Sequence, residues 1–146
     1  MPRPEGLTAK ERRTSRRSTI SRVNIAGVQH ISVNVSDAEE IGRFYIEVLG
    51  LERLPRPDFG FPGMWLRVPD GREIHLQQVE EHKAPRMQHF AFEVPDLDDA
   101  REELVGQDIK VSEPFAIPER GGRQCFFKDP AGNLLELNEP AVSTIS

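Results

Sequence analysis

Phe126-Phe127-Lys128-Asp129-Pro130-Ala131-Gly132-Asn133-Leu134-Leu135-Glu136-Leu137-Asn138 reads as strand, tight turn, strand. Pro130 fixes one backbone angle of the turn, and Gly132 or Asn133 tolerates a positive φ. Beyond the turn, side chains alternate: Leu135 and Leu137 point one way, Leu134, Glu136 and Asn138 the other. The same hairpin stands 61 residues earlier without a gap, as Trp65-Leu66-Arg67-Val68-Pro69-Asp70-Gly71-Arg72-Glu73-Ile74-His75-Leu76-Gln77. Pro69 then matches Pro130, Gly71 matches Gly132, and His75 matches Glu136. Two copies of one hairpin carry a metal-capable residue at the same place.

The segments before the hairpins repeat as well. Gln29 to Val35 alternates strictly, with Ile31, Val33 and Val35 on one face and His30, Ser32 and Asn34 on the other, which predicts a half-buried strand. Ser36-Asp37-Ala38-Glu39 has the form of a capping box. Ile41, Phe44, Tyr45, Val48 and Leu49 follow at helical spacing, and Gly50 ends the helix. Leu51 to Arg56 reads as a strand, Pro55 to Pro62 as a loop, and Met64 to Val79 as the first hairpin. The second copy runs in the same order. Gln88 to Val94 is a strand with Phe90, Phe92 and Val94 inward, Asp96-Leu97-Asp98-Asp99 caps a helix to Gly106, Ile109 to Phe115 is a strand, and the final hairpin closes the unit. His89 lies 59 residues after His30, so the copies differ by about a two-residue insertion. The result is a duplicated βαβββ unit, an α+β fold.

Composition sets the bounds. The chain has 146 residues, 37% hydrophobic and 29% charged, which suits one compact domain of two half-domains. No apolar run approaches the ~20 residues of a membrane span. Residues 1–22 hold seven Lys/Arg against two Glu, so the net charge of −5 leaves −10 on the remainder. An acidic body argues against nucleic acid as a partner. The expected organisation is a disordered basic arm over 1–22, one domain over 23–140 (modules about 28–80 and 87–139), and a tail over 141–146. Lone Cys125 excludes an internal disulfide and reads as a buried structural thiol. Together with the lack of a secretory signal it suggests the cytoplasm; organellar import through the Arg/Ser-rich arm is the alternative.

Four positions stand out: His30 and His89 on the first strands, His75 and Glu136 on the last. Each lies opposite its strand's apolar neighbours. Taken singly, each is more often a solvated decoration. Taken together, symmetric halves are expected to bring all four into one cleft, where imidazole and carboxylate suit divalent zinc, nickel, iron, cobalt or manganese.

His30 to Asp37, Phe44 to Leu51 and Asp129 to Leu137 resemble the vicinal oxygen chelate superfamily, which includes glyoxalase I, methylmalonyl-CoA epimerase, extradiol dioxygenases, fosfomycin-resistance transferases and bleomycin-resistance proteins. The resemblance spans about residues 28–138. It implies paired βαβββ modules whose mixed sheet curls around a metal-binding cleft, and a homodimer. It makes His30, His89 and Glu136 the ligands of one divalent metal, with His75 at a fourth position where glyoxalase I usually has a carboxylate. The implied activity is a metal-dependent lyase or isomerase of the glyoxalase type, acting on a small substrate with two neighbouring oxygens. Glu136 is then the general base, and His75 a ligand or a proton carrier. Three-ligand dioxygenase or thiol-transferase chemistry and a bleomycin-resistance-like binding protein are the alternatives. Arg123, Trp65 and Phe59 are the candidate substrate contacts. Arg123 has a better claim than Arg120 because it begins a strand; Phe61 and Met64 are further candidates for an apolar wall.

Overall fold

The computed structural model describes Gly6 and residues 21–142; the expected arm and tail fall almost wholly outside these residues. The order is β1 (His30–Val35), α1 (Ala38–Glu47), β2 (Glu52–Leu54), β3 (Gly63–Arg67), β4 (Glu73–Gln78), then β5 (His89–Glu93), α2 (Leu97–Gly106), β6 (Phe115–Ala116), β7 (Arg123–Lys128) and β8 (Leu134–Glu139). Each half forms its own four-stranded mixed sheet, ordered β1-β4-β3-β2 and β5-β8-β7-β6. β1 runs parallel to β4 and β5 parallel to β8; the remaining pairs are antiparallel. The predicted duplication is therefore present, as two sheets. The first strand of each module stands at its sheet edge.

Period-two alternation sorts the side chains. Met64, Leu66, Ile74 and Leu76 of the first sheet, and Cys125, Phe127, Leu135 and Leu137 of the second, are buried in one continuous core. α1 packs against β3 and β4, and α2 against β7 and β8. Trp65, His75, Phe126 and Glu136 alternate with these buried residues and so lie on the faces away from the helices. The two hairpins share one turn geometry: Gly71 N–H donates to the Val68 carbonyl and Gly132 N–H to the Asp129 carbonyl. Both glycines have φ near +90° (90° and 88°), a conformation costly for any other residue.

Three boundaries differ from the sequence reading. The α1 cap is Asp37, whose carboxylate accepts from Glu40 N–H at 2.9 Å, one residue beyond Ser36. The strand expected over Leu51–Arg56 is only Glu52–Leu54. Of the strand expected over Ile109–Phe115, only Phe115 lies in the sheet, where with Ala116 it forms β6 and pairs with Gln124 of β7. Arg101 donates to the carbonyls of Val111 and Ser112, satisfying backbone acceptors that a strand partner would otherwise take.

The halves are joined by a buried polar node that only the second hairpin possesses. Asp129, 3% exposed, accepts from Tyr45 Oη at 2.7 Å, from the backbone N–H of Ala131 and Asn133, and from Asn133 Nδ2. Asn133 Nδ2 also donates to the Asn34 carbonyl on β1. The second hairpin is thereby locked onto α1 and β1. Burial, then the adjacent carboxylate, pushes the Tyr45 phenol far above its ordinary pKa, so it remains a donor. Tyr45→Phe keeps the ring and removes that donor. A hydrogen bond to a buried charged group contributes about 1.5–3 kcal/mol. The urea midpoint should fall accordingly with an unchanged slope; a native midpoint would show that the node does not hold the halves together.

Candidate metal centre

On the first sheet, inward Ile31 and Val33 turn His30 outward, and inward Ile74 and Leu76 do the same for His75. The two imidazoles stack with centroids 4.1 Å apart and planes 16° apart. Trp65, the cross-strand partner of His75, covers its other face at 4.3 Å and 10°. His75 is thus held between two rings. Its Nε2 lies 2.9 Å from Oε1 of Glu73, two residues back on the same strand face. A carboxylate only accepts, so Nε2–H donates and the neutral ring carries its lone pair on Nδ1. A carboxylate behind an imidazole is a common support for a metal-binding histidine.

The second sheet carries the equivalent pair. His89 Nδ1 donates to the Met87 carbonyl at 2.8 Å, which leaves the lone pair of the neutral ring on Nε2. That atom faces Oε1 of Glu136 at 3.1 Å. Oε2 of Glu136 accepts from Asn138 Nδ2 at 2.9 Å. Phe126 packs edge-on against His89 at 5.1 Å, in the place Trp65 takes beside His75. Met87 supplies its carbonyl from a positive φ of 71°, uncommon outside glycine, so the chain strains locally to orient His89. An imine lone pair and a carboxylate oxygen repel each other bare at 3.1 Å. A proton or a cation must lie between them.

Within one chain the four residues stand as two pairs. His30 sits with His75 and His89 with Glu136, but the described residues contain no group of three or more His, Cys, Asp or Glu able to hold a metal. The two pairs belong to different sheets, and the Asp129 node sets how those sheets pack. The donor types fit a divalent ion, while one chain offers them two at a time.

The other predicted residues divide similarly. Trp65 lies in the stack and Phe59 is 5.9 Å from it, 53% exposed. Arg123 is engaged elsewhere: its two Nη atoms donate to the Asp98 carboxylate at 3.2 and 3.1 Å, with Glu139 at 3.5 Å, so its charge is already answered within the chain. Asp98, first among the causes, raises the Arg123 pKa further. Cys125 is fully buried, and burial raises its pKa above the usual thiol value, in keeping with a structural role. Sequence reading missed Glu73, Asn138 and the Met87 carbonyl. The first two lie two residues from a predicted ligand on the same strand, so their shared face was available as a signal. Trp65 is the only tryptophan. Replacing His75 with Ala should open one indole face to water and shift its emission to the red; an unchanged spectrum would contradict the stack.

No helix among the described residues is long and apolar enough to cross a membrane. The family model for the Glyoxalase/Bleomycin resistance protein/Dioxygenase superfamily matches residues 27–137. The human mitochondrial methylmalonyl-CoA epimerase is 27% identical over 132 residues, covering 80% of this chain and 75% of that protein. The metallothiol transferase FosB of Staphylococcus haemolyticus is 26% identical over 120 residues, covering 78% and 84%. A glyoxalase family protein from Bacillus anthracis has the same fold, with a TM-score of 0.73 and 30% identity over 82% of this chain and 99% of that one. The paired βαβββ modules and the matched span together place this chain in the Glyoxalase/Bleomycin resistance protein/Dioxygenase superfamily.

Proposed function

We propose that two copies of the chain pair so that His30 and His75 of one face His89 and Glu136 of the other, and that the completed set holds one divalent metal in a lyase or isomerase of the glyoxalase type. The observation that carries this is the His89 Nε2–Glu136 Oε1 approach at 3.1 Å, with Nδ1 already committed to Met87. The exposed first strands at both sheet edges support pairing, because an open edge is a ready surface for another chain. Two-fold symmetry makes the interface reciprocal, giving two equivalent centres per dimer. Zinc, nickel, iron, cobalt and manganese all suit three imidazoles and a carboxylate.

A divalent ion there would polarise two neighbouring substrate oxygens and lower the cost of negative charge developing on them. The chain's own groups do the rest. Glu136 is buried, Asn138 fixes its second oxygen and its first faces His89, so this carboxylate, once it leaves the ion, would take a proton from the substrate and return it. His75, stacked and tied to Glu73, is held in one orientation and one tautomer. That restraint supports a second reading, in which His30, His89 and Glu136 are the ligands and His75 is a proton carrier beside them. Retained metal affinity in His75→Ala would favour three ligands; its loss would favour four.

The two-chain centre has a direct test. His30→Ala and Glu136→Ala should each bind no Mn²⁺ in equilibrium dialysis. A heterodimer of the two variants would carry one doubly damaged centre and one intact one. After reassortment of an equal mixture, binding should recover to about a quarter of the native stoichiometry. A mixture that stays metal-free would reject a centre shared between chains.

A further inference from the structure

The loop Pro55-Arg56-Pro57 to Pro62 holds an arginine that nothing above employs. Pro57 disfavours helical backbone at Arg56, so the loop leaves β2 extended. The Arg56 guanidinium then lies against two phenyl rings, 5.0 Å from the Phe59 centroid and 5.0 Å from the Phe61 centroid. It rests on Gly63, where an added Cβ would stand 2.8 Å from both Cζ and Nε. Only glycine admits it there. Nη1 donates to the Phe61 carbonyl at 3.1 Å, while Nε is buried with no acceptor. Among the described residues no carboxylate lies within ion-pair distance of Arg56, unlike Arg53, which is bound to Glu39 at 2.6 Å. Nearby Asp58 accepts from Gly60 N–H.

A cation held against two rings with no counter-ion is a preorganised half of an ion pair, and a buried donor without an acceptor calls for an explanation. The surroundings indicate what would supply one. Arg56 lines an open groove of about 800 Å³ together with Leu54, Pro57, Phe61, Pro62, Met64 and Trp65. Trp65 also stacks on His75, so the ring series His30, His75, Trp65, Phe59 leads from the histidine pair to the guanidinium. We infer that Arg56 binds the carboxylate of an apolar organic acid lying along this groove, the acid's body on Trp65 and Phe61 and its oxygen-bearing end toward His75. Arg56 thereby takes the anion-holding role that the sequence offered to Arg123. The inference rests on reading the stack as the substrate face, and it names the substrate class: an amphipathic carboxylate rather than a small neutral dicarbonyl.

The probes are 4-phenylbutanoate and its neutral counterpart 4-phenylbutan-1-ol, followed by Trp65 emission on the full chain with and without added Mn²⁺. The acid should half-saturate the native protein at a concentration about tenfold or more below the alcohol, as charge-assisted hydrogen bonds require. Arg56→Gln should erase that preference while still binding the alcohol, which shows the groove intact; Arg56→Lys, which keeps the charge and loses the planar fork, should restore part of it. Equal binding of acid and alcohol by the native protein would overturn the inference, as would a preference that survives in Arg56→Gln. A preference present without any effect of Mn²⁺ would uphold Arg56 as the anion site and count against the metal centre, so the two readings fail separately.

Discussion

A single buried carboxylate, Asp129, fixes how the two halves of this chain meet. It answers four donors at once, one of them the Tyr45 hydroxyl of the other module, and its neighbour Asn133 reaches the β1 backbone. Taking a carboxylate out of water is costly unless its lone pairs are satisfied, so this node is stable only with the hairpin seated on α1 and β1. The equivalent place in the first hairpin is Val68, which cannot do this. A duplicated fold is thereby made asymmetric at one point.

The consequences reach the outward faces of the sheets. With the helices and core residues between the modules, each sheet turns its alternate residues outward, and each outward face carries two metal-capable groups beside an aromatic wall. The pairs are prepared in the same manner: one nitrogen of His75 and one of His89 are tied by hydrogen bonds, leaving the other for a ligand role. Such preparation is wasted on an isolated pair of donors. It makes sense for surfaces that a second copy completes, and the two-fold symmetry of such pairing would complete both at once.

Much of this was written locally in the sequence. The 61-residue offset exposed the duplication because both hairpins keep proline and glycine at matching turn positions, and period-two alternation put His30, His75, His89 and Glu136 on the outward faces correctly. Helix caps were legible to within a residue, since Asp37 and Asp96 each accept from an N–H three residues on. What failed was tertiary. In the strand expected from Ile109, the Val111 and Ser112 carbonyls are taken by Arg101, a helical side chain with no signal nearby in sequence. Arg123 looked free because Asp98 approaches it only after α2 packs on β7. Asp129 read as an ordinary turn residue, so the node that ties the second hairpin to α1 and β1 was invisible.

A two-chain centre makes a demand that a one-chain centre does not: metal and dimer must appear together. Native mass spectrometry of the full chain in Mn²⁺ across a dilution series measures both at once. The dimer should carry two ions and the monomer none, with metal lost as dilution separates the chains. A monomer that holds an ion, or a dimer that holds none, would contradict a centre built from His30 and His75 of one chain and His89 and Glu136 of the other.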